Sequence, residues 1–336
     1  MMRIAFVDPR DEPAFRAWFE AFDAGLRAGR VDPPVKTYPE LLAHHQNPPK
    51  SSLLRVFAAY DEHGSVLGAG TVELPQRDNR SLAMLELAVP PQWRGRGVGQ
   101  ALLAYATEQA RTAGRSRLLA EVFVPCDVDP AGWPGARFAE RHGFTNRNTE
   151  ILRVMRLPIP PARMAALEAE VAERTAGYTF VSWSGACPAE YAEQYATLKG
   201  LLMAEAPTGD LDYEPEDWDV DRLRDEERRA VMQGRTVYTT VAIAPDGSLA
   251  GHTQLAVSVH DPRRAYQWDT LVVAAHRGHR LGLAVKLANL QAMTAAEPQV
   301  ERVTTWNAQQ NGPMIAVNEA MGFAVAEILQ ERQKDL

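Results

Sequence analysis

Two loops rich in glycine and arginine, each following an apolar strand, hold the residues whose types and spacing could do chemistry. The first consists of Arg94, Gly95, Arg96, Gly97, Val98, Gly99 and Gln100. The second consists of Arg277, Gly278, His279, Arg280, Leu281 and Gly282. At an offset of 183 positions the loops and their flanks match without a gap at Val89 and Val272, Arg94 and Arg277, Gly95 and Gly278, Gly99 and Gly282, and Ala101 and Ala284. The match indicates that one domain occurs twice.

The chemistry that such a loop suits is the binding of an anion. Glycines let the backbone turn after the strand, and an apolar periodic run from Val98 begins a helix. The free N–H groups and the positive dipole end of that helix favour a phosphate. A P-loop is rejected because Gln100 and Ala101, rather than Lys and Ser or Thr, follow Gly99. The dinucleotide fingerprint is rejected because it needs Gly at position 100.

The elements around the loops repeat in the same order. In the first half we predict strands at 3–8, 53–60, 66–72, 83–89, 118–124 and 150–156, and helices at 12–27, 98–113 and shortly before 150. In the second half we predict strands at 177–183, 237–244, 249–259, 265–273, 301–306 and 323–330, and helices at 188–205, 218–232, after the loop and before the last strand. This order predicts an α+β fold, an α/β sandwich in each half with a mixed central sheet flanked by helices.

Proline-rich sequence separates the two halves. Residues 158–161 read Pro-Ile-Pro-Pro and are followed by an Ala- and Glu-rich stretch that predicts a linker helix over 165–174. We therefore expect domains at 1–157 and 176–336, with a linker at 158–175.

Composition excludes several classes of protein. The 336 residues are 46% apolar and 24% charged, as in soluble globular proteins, and no apolar run could span a membrane. The net charge of -7 argues against nucleic-acid binding. The N-terminus predicts a strand rather than a signal peptide, Cys126 and Cys187 fit free thiols, and both suggest a cytoplasmic protein. No metal site is expected, since the acidic segment 210–221 lacks the Gly and Glu of an EF-hand. That segment is either a solvated loop followed by the first turn of a helix, or an acidic surface whose electrostatic field attracts a cationic substrate.

The first loop resembles the coenzyme A pyrophosphate loop of the GCN5-related N-acetyltransferases (GNATs), whose pattern is Gln or Arg, two residues, Gly, one residue, then Gly or Ala. A second family element, an Asn followed by a short helix that ends in Gly-Phe, is matched by 311–323 and in part by 137–144. Both elements occur in order in each half, so the resemblance covers nearly the whole chain. In layout the chain is similar to tandem members of the family such as mycothiol synthases.

The resemblance implies acetyl-CoA as cofactor and a set of residues that hold it. In the family, a bulge on the strand before the loop holds the pantetheine arm, which places that role at Leu87, Ala88 and Val89. The pyrophosphate would lie on Arg94, Gly95, Arg96, Gly97, Val98, Gly99 and Gln100. In the second half the corresponding set is Val272, Arg277, Gly278, His279, Arg280, Leu281, Gly282, Asn307 and Asn311.

A carboxylate on the same strand is the family's usual general base. Glu86 holds that place in the first half and Asp269 in the second, three residues before Val89 and Val272. Each is either a base or a solvated carboxylate on an alternating strand. The family's tyrosine acid is missing, because its positions hold Ala139 and Asn318. A thiol with a reference pKa of about 8.5 can still leave with modest help. Tyr105, Cys126 and His142 lie near the first site in sequence and fit packing roles better.

The two loops differ at one decisive position. Gly97 of the first loop corresponds to Arg280 of the second, where a side chain in a left-handed turn costs about 1 kcal/mol or more. We therefore expect tighter coenzyme A binding in the first half. His276 and His279 either contact phosphate or are solvated.

The residues and the resemblance together indicate an N-acetyltransferase that moves acetyl from acetyl-CoA to a primary amine of a small molecule by direct attack on the thioester. The alternative is an acyl-CoA-binding sensor or scaffold without catalysis, which the two missing tyrosines would suit. We expect a small-molecule amine as the partner, and neither nucleic acid nor a membrane. The sequence does not identify the amine or the oligomeric state.

Overall fold

Helices and strands follow one another in an order that repeats along the chain. The computed structural model describes residues 2–336, apart from the side chain of Met203. The helices are α1 (Glu12–Arg27), α2 (Tyr38–Gln46), α3 (Val98–Thr112), α4 (Pro134–Arg141), α5 (Pro161–Arg174), α6 (Ala192–Gly200), α7 (Leu202–Glu205), α8 (Val220–Met232), α9 (Leu281–Ala296) and α10 (Gly312–Met321). The strands are β1 (Arg3–Phe6), β2 (Ser52–Tyr60), β3 (Val66–Pro75), β4 (Leu82–Ala88), β5 (Arg117–Pro125), β6 (Thr145–Arg156), β7 (Thr179–Ser184), β8 (Arg235–Ile243), β9 (Leu249–Ser258), β10 (Asp261–Val272), β11 (Arg302–Ala308) and β12 (Ala324–Asp335).

The contacts of the chain divide it into two compact units. The first unit contains the chain up to Thr149 together with Ile328–Leu336, and the second contains Glu150–Glu327. Strands β6 and β12 therefore each pass from one unit into the other. The sequence division at 157 and 176 follows the repeat instead, and as a description of independent domains it stays a prediction.

In the first unit, strands β1 to β4 are antiparallel neighbours and β5 is parallel to β4. Helix α3 covers one face of this sheet, where Leu102 and Ala106 pack against Phe57 and Leu85. Helix α1 covers the other face through Phe15, Trp18 and Phe22, all buried (the spacing of an amphipathic helix). The unit is a mixed sheet between two helical layers, as predicted.

The last residues of the chain complete the first unit. Strand β12 lies between β5 and β6 in the strand order. The Leu336 N–H donates to the Ser116 carbonyl at 2.8 Å, and Leu336 packs against the core beneath α3. Lys334 lies over the Phe144 ring at 5.9 Å. A segment that belongs to the second sequence repeat is thus a structural part of the first unit.

The second unit repeats the arrangement with the strand order β6-β11-β10-β9-β8-β7. Strands β7 to β10 are antiparallel neighbours, β11 is parallel to β10, and β6 is antiparallel to β11. Helix α9 packs its buried leucines against β8 to β10, and the predicted linker helix α5 joins the same core through Leu167. The α+β class and the tandem layout predicted from the sequence are confirmed.

Most predicted elements occur close to their predicted bounds, and a few differ. Helix α2 was not predicted, β6 begins at Thr145 rather than 150, β10 begins at Asp261 rather than 265, and β12 ends at Asp335 rather than 330. The helix predicted over 188–205 is broken into a 3-10 turn, α6 and α7. Cys126 and Cys187 are free thiols, as expected. No helix within residues 2–336 has the length and apolar character needed to cross a membrane.

Removing the C-terminal residues 331–336 should destabilise the first unit more than the second. The truncation takes away the partner of Ser116 and an apolar contact with the first core, whereas β6 to β11 keep their pairing. On truncation, hydrogen exchange resolved by segment should become faster in β5 and should change less in β10. Equal protection of β5 in the full and truncated chains would contradict this role of the C-terminus.

Candidate active site

The candidate site of the first unit begins where two parallel strands separate. Strands β4 and β5 pair from Leu82 and Arg117 to Leu85 and Ala120, and within residues 2–336 no further pair between them follows. On its other side β4 stays paired with β3 as far as Ala88. The edge of β4 beyond Leu85 therefore faces an opening between the strands. Backbone groups at such an edge need partners, so the opening suits a ligand with amide groups.

The glycine loop carries the chain from β4 to the N-terminus of α3 above this opening. Gly97 is the N-cap of α3 in a left-handed conformation, with φ 81° and ψ -2°, and Gly95 has φ 74°. Only open space lies within 4 Å of a Cβ placed at either glycine. No side chain caps the helix, so its first N–H groups are directed at the loop. The loop thus forms the predicted anion-binding geometry.

Arg94 holds the loop rather than only adding charge to it. Its Nε donates to the Val89 carbonyl at 2.9 Å, and a terminal nitrogen donates to the Gly25 carbonyl at 3.2 Å. Arg96 lies over the Trp93 ring at 5.1 Å. Arg94 therefore fixes the end of β4 against α1, which the sequence alone did not indicate.

Loop, strands and helix α4 enclose a cavity of about 780 Å³. Nine of the predicted cofactor residues line it: Leu87, Ala88, Val89, Arg94, Gly95, Gly97, Val98, Gly99 and Gln100. Three further arginines, Arg30, Arg137 and Arg141, also line it. Arg30 stacks on Phe123 at 4.4 Å, which orders its guanidinium at the rim. The cavity thus has cationic groups around a glycine loop.

One wall of the cavity is apolar where the resemblance would place a proton donor. Leu103 on α3, Ala139 on α4 and Phe144 after it line the cavity, and all three are buried. His142 lines it as well and packs on the Phe138 ring at 4.4 Å, and burial lowers the pKa of His142. Tyr105 packs on Phe57 at 4.9 Å, as expected for a packing residue, and Cys126 is exposed.

Glu86 lies on β4 but does not line the cavity. Its neighbours Leu85 and Leu87 do, and successive side chains on a strand point to opposite faces, so Glu86 faces the other side of the sheet. It is exposed, and Thr71 Oγ1 donates to its carboxylate at 3.4 Å. A base there would act on an acceptor that approaches the opening from the opposite face.

The second loop keeps the backbone of the first with different side chains. Arg280 is the N-cap of α9 in the left-handed conformation, with φ 57° and ψ 18°, as Gly97 is for α3. Arg277 Nε donates to the Val272 carbonyl at 3.3 Å, which repeats the contact of Arg94 with Val89, and Arg277 also pairs with Glu205. Val272, Gly278, Leu281 and Gly282 occupy the matching loop positions.

Helix α5 places an acidic group on the second loop. Glu170 pairs with Arg280 at 2.6 Å. Beside it, the hydroxyl of Tyr178 lies 3.0 Å from His276 Nδ1, and the Tyr178 ring lies 5.5 Å from that of His279. The cation at the N-terminus of α9 is therefore already paired with a carboxylate. This arrangement supports the expected difference between the two loops.

The strand opening recurs in the second unit, and there it carries a β-bulge. Strands β10 and β11 pair from Arg264 and Arg302 to Tyr266 and Thr304. The register between β9 and β10 shifts between Gln267 and Thr270. The resemblance placed a bulge at Leu87, Ala88 and Val89, but β3 and β4 pair there in regular register. The bulge lies in the second unit because the stretch from Gln267 to Thr270 of β10 faces one residue fewer on β9, whereas the matching stretch of β4 faces an equal number of residues on β3.

Asp269 lies at this bulge, partly exposed, in a polar cluster around the buried Lys199. Lys199 on α6 donates to Asp269 at 3.2 Å, to Glu226 at 2.9 Å and to Gln254 at 3.0 Å. Burial alone would raise the pKa of Asp269, but the charge and hydrogen bond of Lys199 and the neighbouring His252 together outweigh it and lower that pKa. Burial alone would lower the pKa of Lys199, but the carboxylates of Glu226 and Asp269 raise it. Asp269 is thus a weaker proton acceptor than an isolated carboxylate, which argues for a binding or structural role.

Tyr195 and His252 lie beside the same cluster. The hydroxyl of Tyr195 lies 3.3 Å from His252 Nδ1, and both residues are buried. Burial lowers the pKa of His252 to about 4, so the ring is neutral near pH 7. Burial also raises the pKa of Tyr195, so the phenol keeps its proton.

Asn307 and Asn311 have internal partners in the structure. The Asn307 side chain accepts from Arg153 at 2.9 Å and from Asn318 at 3.1 Å, and it is buried. Asn311 caps α10 by accepting from the Met314 N–H at 3.3 Å. Their predicted contacts with a cofactor stay predictions.

Sequence reasoning missed Lys199, Glu226 and the arginines at the cavity rim. A signal for Lys199 was available, because it falls on the buried stripe of α6 with Ala192, Tyr195 and Ala196. A lysine in such a stripe needs carboxylate partners. Glu226 lies on a different helix, so no local pattern connects the two.

Comparisons with known proteins agree with this geometry. A sequence model of the acetyltransferase (GNAT) domain matches residues 52–146. A tandem GNAT protein from the clavulanic acid biosynthesis pathway superposes with a TM-score of 0.81 at 28% identity, over 100% of this chain and 98% of that one. A GCN5-related N-acetyltransferase from Sphaerobacter thermophilus superposes with a TM-score of 0.68 at 15% identity, over 99% and 95% of the two chains. Curated protein sequences gave no significant match.

Replacing Gly97 by Val should weaken coenzyme A binding to the first unit. The left-handed backbone strains any β-branched residue, and the new side chain enters the cavity, so we expect a loss of roughly 1–3 kcal/mol. Gly114→Val is the matched control, because Gly114 follows α3 with φ 72° and open space around it but does not line the cavity. Calorimetry should show weaker binding only for Gly97→Val. Equal affinities of the two variants would remove the loop from the binding site.

Replacing Glu170 by Gln should strengthen coenzyme A binding to the second loop. The change removes a carboxylate from Arg280 and from the N-terminus of α9, and an exposed pair of this kind contributes up to about 1 kcal/mol, or about fivefold in affinity. Glu168→Gln is the control, since Glu168 accepts from Gln291 on the same helix pair. Titration should show a second binding event that tightens in Glu170→Gln alone. Unchanged second-site binding would show that Glu170 does not compete.

Proposed function

Because the chain is a tandem member of the GNAT superfamily, we propose that it transfers an acetyl group from acetyl-CoA to a primary amine of a small molecule. The cavity of the first unit carries the proposal, since it joins a strand opening, a glycine loop at a helix N-terminus and several arginines. Acyl-CoA-dependent transfer is the activity that the GNAT fold supports. Acetyl as the group and a small amine as its acceptor are the proposal.

The residues of the first unit suit the parts of coenzyme A in turn. The uncapped N–H groups of α3, with Gly95 and Gly97, would hold the pyrophosphate. The free edge of β4 from Leu87 to Val89 would bond the amides of the pantetheine arm. Arg137 and Arg141 on α4 supply charge for a further phosphate at the rim.

The same strand edge would assist the transfer itself. Attack by an amine places negative charge on the thioester oxygen, and a backbone N–H at the edge of β4 can stabilise it without moving. The amine must first lose a proton to reach its nucleophilic form. Glu86 is the carboxylate of β4 that faces the other side of the sheet, and an acceptor entering from there would keep clear of coenzyme A.

The choice of a small-molecule acceptor is supported by one comparison. The tandem GNAT protein that covers this chain end to end belongs to the pathway of a small molecule, clavulanic acid. At 28% identity the likeness supports the proposal of a small-molecule acceptor and does not name the compound.

A second candidate function is favoured by the apolar wall of the cavity. Leu103, Ala139 and Phe144 offer no proton to a departing thiolate, so the first unit could bind acyl-CoA without turning it over. A panel of primary amines with acetyl-CoA, followed by release of free thiol, distinguishes the two. Thiol release that depends on the amine supports the transferase, whereas binding without release supports the sensor or scaffold.

Replacing Glu86 by Gln should lower turnover about 10²- to 10⁴-fold with little change in acetyl-CoA affinity, as expected for loss of a general base. The defect should shrink at high pH, where the amine is already neutral. Glu73→Gln is the matched control, because Glu73 lies on β3 two residues from Thr71, on the same sheet face as Glu86. Steady-state kinetics over pH measures both. Wild-type rates in Glu86→Gln would assign the proton transfer to water or another group.

A further inference from the structure

A chain of buried polar side chains crosses the second unit from α9 to β6. Lys286 Nζ donates to Asn318 Oδ1 at 2.9 Å, the Asn318 amide donates to Asn307 Oδ1 at 3.1 Å, and Arg153 donates to the same oxygen at 2.9 Å. All four side chains belong to buried residues. They lie on four different elements, α9, α10, β11 and β6.

Lys286 is the exceptional member of this chain. Its residue is 1% exposed, and it lies on the apolar stripe of α9 with Leu283, Leu287 and Leu290. The ammonium has three donors, yet the structure gives it one acceptor, Asn318, and the face of the Phe323 ring at 5.3 Å. No carboxylate among the described residues forms a salt bridge with it. A buried cation without a counter-charge destabilises a fold, so its retention calls for another role.

The sequence repeat identifies the residues of the first unit that correspond to Lys286 and its neighbours. The offset of 183 places Lys286 on Leu103, and counting back from each Gly-Phe pair places Asn318 on Ala139 and Phe323 on Phe144. The three residues of the first unit line its cavity. At these positions the second unit has an ammonium and an amide in place of two apolar groups.

The polar chain also lies beside the opening between β10 and β11. Their pairing ends at Tyr266 and Thr304, and Asn307 lies three residues further along β11. Asn318 reaches Asn307 from α10. By the repeat, Lys286 corresponds to Leu103, which lines the first unit's cavity, where the thioester end of a bound acyl-CoA would lie in the proposed function.

We infer that Lys286, held by Asn318, contacts the thioester sulfur of an acyl-CoA bound in the second unit and protonates the departing thiolate. This inference rests on the proposed acyl transfer. A C–N bond forms to the acceptor amine, the C–S bond breaks with its electron pair on sulfur, and sulfur takes a proton from Lys286 Nζ. The proton that the acceptor nitrogen loses restores the ammonium through solvent, so the enzyme ends unchanged.

The electrostatic surroundings are consistent with a proton donor. Burial lowers the pKa of Lys286 to about 7, close to the pKa of a thiol that must accept a proton. Arg153 is the other cation among these four linked side chains, and the carboxylate of Glu319 on α10 interacts with it electrostatically. From α5, Glu168 bonds Gln291 and Glu170 pairs with Arg280. Glu168 and Glu170 thus each have another partner.

The thiol of bound coenzyme A reports the contact without any turnover. In a Gly97→Val background, which weakens the first loop, the ultraviolet absorbance of the thiolate is titrated with pH in the presence and absence of Lys286→Met. An ammonium within about 6 Å lowers the thiol pKa by one unit or more. Below pH 7, where Lys286 keeps its proton, the protein with Lys286 should therefore hold at least about tenfold more thiolate than Lys286→Met. Desulfo-coenzyme A, which lacks the thiol, is the ligand control and should bind both proteins equally.

Turnover and folding give the second arm of the test. In the same background Lys286→Met should lower acyl transfer about 10²-fold or more through kcat, with KM nearly unchanged. Removing a buried unpaired cation should leave the melting temperature equal or higher, and Lys286→Leu, which copies Leu103, serves if Lys286→Met does not fold. Identical thiol titrations with and without Lys286, or no uptake of coenzyme A by the second unit, would overturn the inference. Neither result affects transfer in the first unit, which the Glu86 experiment tests separately.

Discussion

The separation of two parallel strands is the constraint on which both candidate sites depend. Strand β4 leaves β5 after Leu85, and β10 leaves β11 after Tyr266, while each keeps its antiparallel partner on the other side. A strand edge freed in this way exposes backbone donors and acceptors inside the protein, where they must be satisfied. The helix that follows each strand points its N-terminus over the same opening. The free strand edge could therefore bind the amide groups of a ligand while the adjacent helix N-terminus binds the phosphate groups of the same ligand.

Backbone groups of the strand and loop form much of each candidate site. The side chains of the two units can therefore differ while the backbone conformation of the loops stays the same. Arg94 and Arg277 both bond the carbonyl five residues earlier, and Gly97 and Arg280 share the left-handed N-cap. Around this frame the first unit has an open cavity with an apolar wall. The second has a bulge, a buried Lys199 with its two carboxylates, and Lys286. The two candidate sites therefore share a backbone frame and differ in the side chains around it.

The course of the chain joins these two units as well. The final strand serves the first unit through Ile328–Leu336, and β6 enters the second unit from Glu150 onward. Each half of the sequence thus contributes part of one strand to the unit that consists mainly of residues from the other half. A repeat found in the sequence gives the number of units, but contacts decide which residues each unit contains.

The sequence by itself determined the repeat, the α+β class and the anion-binding loop. These are local properties, since glycine spacing fixes a turn and apolar periodicity fixes a helix or strand. It also gave nine residues of the first cavity through the family resemblance. Only the tertiary structure placed Glu86 on the opposite face, moved the bulge to β10, paired Glu170 with Arg280, and brought Lys199 to Asp269. These features depend on strand register and on contacts between residues far apart in the sequence. Burial determines how stable such contacts are, and a local sequence pattern does not show which distant residues will be buried together.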